Sequence, residues 1–197
     1  MDDIVKQAIA KWPNVPHCYG WLALDARGAW RMRDERAQQL GLAGDRLTQA
    51  ALVGFINRNY AADERGCWYF QNGPQRVYVA LEATPFIART DPQQGLLVQT
   101  GEALAPLERA AMTEAGALIV QAGAKVAQLD DRDMAQMMEA LVLDGRTVSD
   151  DALLAWLDGG RGELVLSIGA ALVTVGRIAA ADVAATFGFV RAPAPPA

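Results

Sequence analysis

His17 is the only histidine in the chain, and it stands beside Cys18, one of just two cysteines; the other is Cys67. Any Ser-His-Asp or Cys-His mechanism must therefore use His17. Its neighbour Cys18 is poorly placed for proton transfer, because adjacent residues of an extended strand point to opposite faces. Cys67 can meet His17 only through tertiary contact, so an enzyme built on Cys67 and His17 stays open beside the plainer reading of a half-buried thiol and a loop histidine. A zinc site would need His17, Cys18, Cys67 and a carboxylate without local ligand spacing. Asp130-Asp131-Asp133 could attract a hard cation, but it lacks the glycine and terminal glutamate of a calcium loop. Those aspartates better suit the start of a helix, where carboxylates meet the positive end of its dipole. Gly159-Gly160-Arg161-Gly162 leads into a strand, whereas a phosphate-binding loop opens a helix, so it reads as a tight turn. Carboxylates are plentiful in the second half, and an acid–base pair among them is a further enzymatic alternative. No metal and no cofactor are expected.

The chemistry that does stand out is arginine interleaved with aromatic rings. Tyr69, Arg76 and Tyr78 can share the solvent side of a central hairpin, and Arg31 and Arg33 alternate with Trp30 and Met32 nearby. Guanidinium beside aromatic rings can hold a small anionic or planar molecule, or a protein partner, by bidentate hydrogen bonds and stacking. The plain alternatives are a sheet face protected by charge, a seam between lobes, or a homodimer interface.

Hydrophobic periodicity supplies the elements that position these groups. Asp2 to Trp12 places Ile4, Val5, Ala8, Ile9 and Trp12 on one helical face, and Pro13 stops it. Tyr19 to Asp25 and Ala29 to Arg33 are strands around the turn Asp25-Ala26-Arg27-Gly28. A polar loop, 34–45, precedes a helix over Leu47 to Tyr60. Cys67 to Phe70 and Arg76 to Glu82 form a hairpin through Gln71-Asn72-Gly73-Pro74, with Asn-Gly at the positive-φ positions. Pro85 to Arg89 and Gly95 to Thr100 are further strand pieces. In the second half, strands flank Ala122-Gly123-Ala124, a helix spans Asp131 to Leu143, and Ser149 caps a helix to Leu157. The apolar run from Leu164 to Val190 divides at Gly169 into two strands, because its uninterrupted part is too short for a membrane helix.

Composition sharpens the division. The chain has 197 residues, 52% hydrophobic and 21% charged, with a formal charge of −5. That is a folded globular composition, and its sign argues against nucleic acid or anionic membrane as partner. Residues 1–95 carry eleven basic and ten acidic side chains and eleven of the fourteen aromatics; residues 96–197 carry seven basic and thirteen acidic. An α+β protein of two related lobes is expected, each of antiparallel β-hairpins with one or two packed helices. The first lobe is 1–95, the second, alanine-rich lobe 96–191, and 192–197 a disordered Pro/Ala tail. Fifteen arginines against three lysines point to a GC-rich bacterial genome. The acidic N-terminus lacks the pattern of a signal peptide, and the two thiols suit a cytoplasmic location.

Trp21-Leu22-Ala23-Leu24-Asp25-Ala26-Arg27-Gly28-Ala29-Trp30, the run Tyr69 to Val79 and the segment Ala83-Thr84-Pro85-Phe86-Ile87-Ala88 resemble an uncharacterised proteobacterial family, the domain-of-unknown-function group numbered twelve-eighty-five. Past residue 100 only Ala117 to Leu141 echoes it. The resemblance implies two related α+β lobes and a ligand-binding or signalling role. The family's turns map to Gly28 and Gly73, and no catalytic residue maps to this chain.

Overall fold

The computed structural model describes residues 1–196; Ala197, the last residue of the expected tail, lies outside them. The chain has an α+β fold with two lobes, one formed by Met1–Pro85 with the returning segment from Gly188, the other by Phe86–Phe187.

The first unit runs α1 (Asp3–Lys11), β1 (Cys18–Leu24), β2 (Trp30–Met32), α2 (Glu35–Gln39), β3 (Asp45–Arg46), α3 (Ala50–Arg58), β4 (Tyr60–Ala62), β5 (Trp68–Asn72) and β6 (Gln75–Leu81). Its sheet has the order β3-β2-β1-β6-β5-β4, with β1 and β6 parallel and the other pairs antiparallel. Alternation sends Leu22, Leu24, Trp30, Phe70 and Val79 to one face, and α3 covers it. There Phe55 meets Phe70 edge-on at 5.4 Å and Trp30 Nε1 donates to Asn57 Oδ1 at 2.8 Å. Each such apolar side chain contributes about 1.5–3 kcal/mol when removed from water.

The second unit continues with β7 (Phe86–Asp91), β8 (Gly95–Val98), β9 (Arg109–Thr113), β10 (Leu118–Ala122), β11 (Lys125–Leu129), α4 (Met134–Met137), β12 (Leu141–Leu143), β13 (Arg146–Thr147), α5 (Asp150–Leu157), β14 (Leu164–Ile168), β15 (Ala171–Ile178) and α6 (Val183–Phe187). They form one sheet in the order β13-β12-β14-β15-β9-β10-β11-β7-β8. The expected hairpins are present, but parallel pairs, β15 with β9 and β11 with β7, join them into a mixed sheet. Among the described residues, no helix is long and apolar enough to cross a membrane.

Several local expectations are corrected. The hairpin after β5 turns on Gly73-Pro74 rather than Asn72-Gly73: Asn72 pairs with Gln75, and Gly73 takes φ 56°. Glycine supplies the positive φ and proline the fixed negative φ that follows, as in a type II′ turn. The helix expected over Asp131 to Leu143 is only α4 flanked by 3₁₀ turns, because Leu141 leaves it to pair with Leu166 and is wholly buried. The 34–45 loop contains α2, whose N-cap Asp34 accepts from the Ala37 amide at 2.7 Å, satisfying an amide that the helix itself leaves free. Of the apolar residues expected on one face of α1, Val5 is buried while Ile4, and Trp12 just past the helix end, are exposed.

Candidate functional site

The face of the first sheet opposite α3 carries an aromatic and arginine cluster. Because Tyr69 on β5 pairs directly with Tyr78 on β6, and Gln71 with Arg76, all four side chains fall on that face. The register of β1 against β6 shifts between Cys18 and Leu22. Gly20 takes φ 81° in that stretch, and the strand departs from simple alternation there. Tyr19 lies beside it and stacks on Tyr78, centroids 4.5 Å apart and planes 4° from parallel. Tyr69 meets Tyr78 edge-on at 5.7 Å, and His17 meets it at 5.8 Å.

The hairpin between β4 and β5 completes the arrangement. Its turn, Asp63-Glu64-Arg65-Gly66, is organised by one carboxylate. Asp63 Oδ1 accepts from the backbone N–H groups of Arg65 and Cys67, both at 2.9 Å. Asp63 Oδ2 accepts from the Tyr78 hydroxyl at 2.9 Å and from Arg65 Nε at 3.1 Å. Burial opposes the Asp63 charge, yet these bonds outweigh it and hold the carboxyl below its ordinary value. Gly66 sits at φ 76°, and a Cβ there would fall 2.5 Å from the Gly188 carbonyl oxygen. The returning segment is thereby seated close: Val190 N donates to Gly66 O, Leu81 N to Arg191 O, and Arg65 Nη1 reaches Ala194 O at 3.4 Å.

Together these groups line a cavity of about 570 Å³, with Pro196, Ala62 and Glu64 contributing to its rim and walls. That volume suits a small organic ligand. The Arg76 guanidinium lies over the Tyr69 ring, 4.5 Å from its centroid, and Arg65 lies 5.6 Å from that of Tyr78. Burial works against the Arg76 cation, but the Tyr78 and Tyr69 oxygens and the Asp63 carboxylate more than offset it and raise its proton affinity. Arg65 is paired with Asp63, whereas Arg76 makes no ion pair among the described residues. The Tyr19 hydroxyl is buried without a hydrogen bond of ordinary geometry, although it lies near enough to Arg65 to act on that cation.

Of the sequence candidates, Tyr69, Arg76 and Tyr78 come together here. The two tyrosines are not on the solvent side: Tyr69 and Tyr78 are 6% and 2% exposed, because Cys67, Tyr19, Ala61 and Val190 pack around them, while Arg76 is half-buried. Arg31 and Arg33 lie elsewhere on the same sheet, beside a depression of about 350 Å³. Arg31 Nε is bonded to the buried Asp25 at 2.8 Å, and Arg33 Nε to the Leu42 carbonyl at 3.1 Å. Tyr19, Asp63 and Arg65 are the residues that sequence reasoning missed. A signal for two of them was available, since Asp63-Glu64-Arg65-Gly66 repeats the spacing of Asp25-Ala26-Arg27-Gly28. Asp25 Oδ1 likewise accepts from the amides of Arg27 and Ala29.

His17, just before β1, and Cys18, its first residue, diverge. His17 lines the tyrosine cavity, while Cys18 lines an apolar pocket of about 260 Å³ with Leu52, Ile56 and Phe70. Cys67 is buried behind the tyrosines, and burial, then the Asp63 charge, pushes its thiol up. In the second unit Asp130 and Asp133 serve arginines and backbone rather than a cation. Asp130 holds the Arg132 guanidinium and amide, and Asp133 accepts from Arg89 Nη2 at 3.2 Å and Thr90 N at 2.8 Å. Among the described residues, no group of three or more His, Cys, Asp and Glu is placed to hold a metal ion. The Gly159–Gly162 turn receives an arginine: Arg177 Nη2 donates to Gly160 O at 2.5 Å, its Nε donates to Trp156 O at 2.7 Å, and its guanidinium lies 4.0 Å over the Trp156 ring.

In fold, the chain is similar to two crystal structures of DUF1285 family proteins. The one from Silicibacter pomeroyi DSS-3 is 14% identical, with a TM-score of 0.50 over 88% of this chain and 94% of that one. The one from Shewanella baltica OS155 is 13% identical, with a TM-score of 0.41 over 59% of this chain and 88% of that one. The first of these likenesses speaks for fold alone, and it supports the DUF1285 resemblance seen in the sequence. No curated protein matches. The family model DUF2944, described as "Protein of unknown function (DUF2946)", matches residues 1–194, and the chain belongs to that family.

Proposed function

We propose that the first unit binds a small, anionic, planar molecule in the tyrosine cavity, as a ligand-reading module with a regulatory role. The observation that carries this reading is Arg76, a cation held over Tyr69 at the wall of a cavity of about 570 Å³ and left without an ion pair among the described residues. The Tyr78, Tyr69 and Asp63 oxygens already favour the Arg76 cation, yet among the described residues no carboxylate lies within ion-pair distance of it, so its guanidinium fork is left for an incoming anion. Stacking on Tyr69 restrains it, which reduces the entropy lost when a planar anion docks. The burial of Tyr69 and Tyr78 favours a small ligand over a flat dimer interface on the same face. A cytoplasmic location belongs to the same reading and is supported by two free thiols.

Saturation-transfer NMR on the full chain, with a mixed set of aromatic carboxylates, sulfonates and phosphates and their neutral amides, tests this. The expected result is transfer to at least one anion and not to its neutral counterpart, lost in Arg76→Gln. Transfer to none of the anions, or transfer unchanged in Arg76→Gln, would contradict it.

A further inference from the structure

Resting on that reading, we infer that the ligand class of the tyrosine cavity is an aromatic monocarboxylate, its carboxylate gripped by the Arg76 guanidinium and its ring set against the tyrosine walls.

The charge inventory selects a single negative charge. The cavity holds two guanidinium groups, Arg65 and Arg76, and two carboxylates, Asp63 and Glu64. Arg65 is already committed to Asp63, with Nε 3.1 Å from Oδ2. One cation therefore remains for the ligand, while the Asp63 and Glu64 charges stay beside it. A dianion such as a phosphate monoester, which carries close to two charges above its second pKa near 6, would place its second charge against those carboxylates. A carboxylate brings one charge and the planar two-oxygen edge that the guanidinium fork matches.

The hydrogen-bonding inventory agrees. Asp63 accepts four hydrogen bonds from the protein, two at each oxygen. Its acceptor capacity is spent, and it is not a receptor for a cationic ligand. What the wall offers is a donor, the Arg76 guanidinium. The apolar part of the wall is aromatic, with the stacked Tyr19–Tyr78 pair and the edge-on His17 and Tyr69 around it. Such a surface suits a flat body rather than an aliphatic chain.

Isothermal titration calorimetry of the full chain near neutral pH distinguishes the possibilities, using benzoate, phenyl phosphate and benzamide as probes up to millimolar concentration. Circular dichroism and thermal melting establish that Arg76→Gln is folded. The expected result is saturable one-to-one binding of benzoate, at least ~10-fold tighter than phenyl phosphate, with no saturation by benzamide. Arg76→Gln should weaken benzoate by at least ~10-fold. Tighter binding of phenyl phosphate, still lost in Arg76→Gln, would overturn the monocarboxylate assignment and leave the anion-binding reading standing. No saturation by either anion, or no effect of Arg76→Gln, would overturn both.

Discussion

Asp63 ties the β4–β5 turn, the Tyr78 hydroxyl and Arg65 into one unit, so replacing it should expose how the cavity is held. In Asp63→Ala four hydrogen bonds disappear. The Arg65 side chain is 41% exposed, and its bond contributes little because water and salt screen it. The Tyr78 hydroxyl and the Cys67 amide belong to residues only 2% and 4% exposed. Each loses its acceptor at a cost of about 1–3 kcal/mol, and the expected total is about 3 kcal/mol. Asp63→Asn keeps an oxygen for both backbone amides and lets the Tyr78 hydroxyl rotate to accept from the new amide, so it should cost about 1 kcal/mol. Urea unfolding followed by aromatic fluorescence suits the measurement, since eleven of the fourteen aromatic residues lie before residue 96. An alanine variant within ~1 kcal/mol of the parent, or an asparagine variant as unstable as alanine, would refute the assignment of those two bonds as the main contribution.

Gly66→Ala forces a left-handed φ on a Cβ residue, at a cost of about 1–2 kcal/mol, and drives that Cβ against the Gly188 carbonyl. Hydrogen exchange at the Val190 amide, bonded to Gly66 O, should accelerate strongly, while an unchanged rate would contradict that close approach. The Arg132 side chain, opposed by burial, lowers the Asp130 carboxyl from 3.8 to about 2. Because the folded value is the lower one, this stabilisation is complete above the unfolded value and is lost as pH falls toward the folded one, about 2 kcal/mol in all. Asp130→Asn should flatten the urea midpoint across that window. Of the two thiols, half-buried Cys18 should react with a disulfide reagent well before buried Cys67. Both should quicken only above the ordinary thiol pKa, since burial pushes both up. Mass mapping of the labelled peptide checks the order.

What could be read from the sequence was local. The β5–β6 and β10–β11 hairpins announce themselves by period-two alternation around Gly73 and Gly123, and Ser149 by its capping position, where it accepts from Ala152 N. Failures arose where long-range contact overrides local pattern. Tyr60 fits the apolar face of a helix, yet it pairs with Phe70 as a strand, after Asn59 closes α3 by donating to Phe55 O and accepting from Asp2 N. Half the site was legible for the same reason as the hairpins: Tyr69, Arg76 and Tyr78 follow from strand alternation. Arg31 obeys the same alternation, but β1 lies between β2 and β6. Two strand spacings, roughly 10 Å, therefore separate its strand from that of Tyr78. Tyr19 was hidden by an irregular register, and Asp63 and Arg65 by a turn whose role is tertiary.

Arg31 already has an anion in Asp25, whereas Arg76 has none in ion-pair range among the described residues and, on the proposed reading, takes one from the ligand. Proton–nitrogen correlation spectra of the arginine Nε groups, assigned with Arg76→Gln and Arg31→Gln, test it directly during titration with benzoate and then phenyl phosphate. The expected result is a saturable shift of the Arg76 Nε resonance with Arg31 stationary. A stationary Arg76 resonance, or a saturable shift at Arg31 in its place, would contradict it.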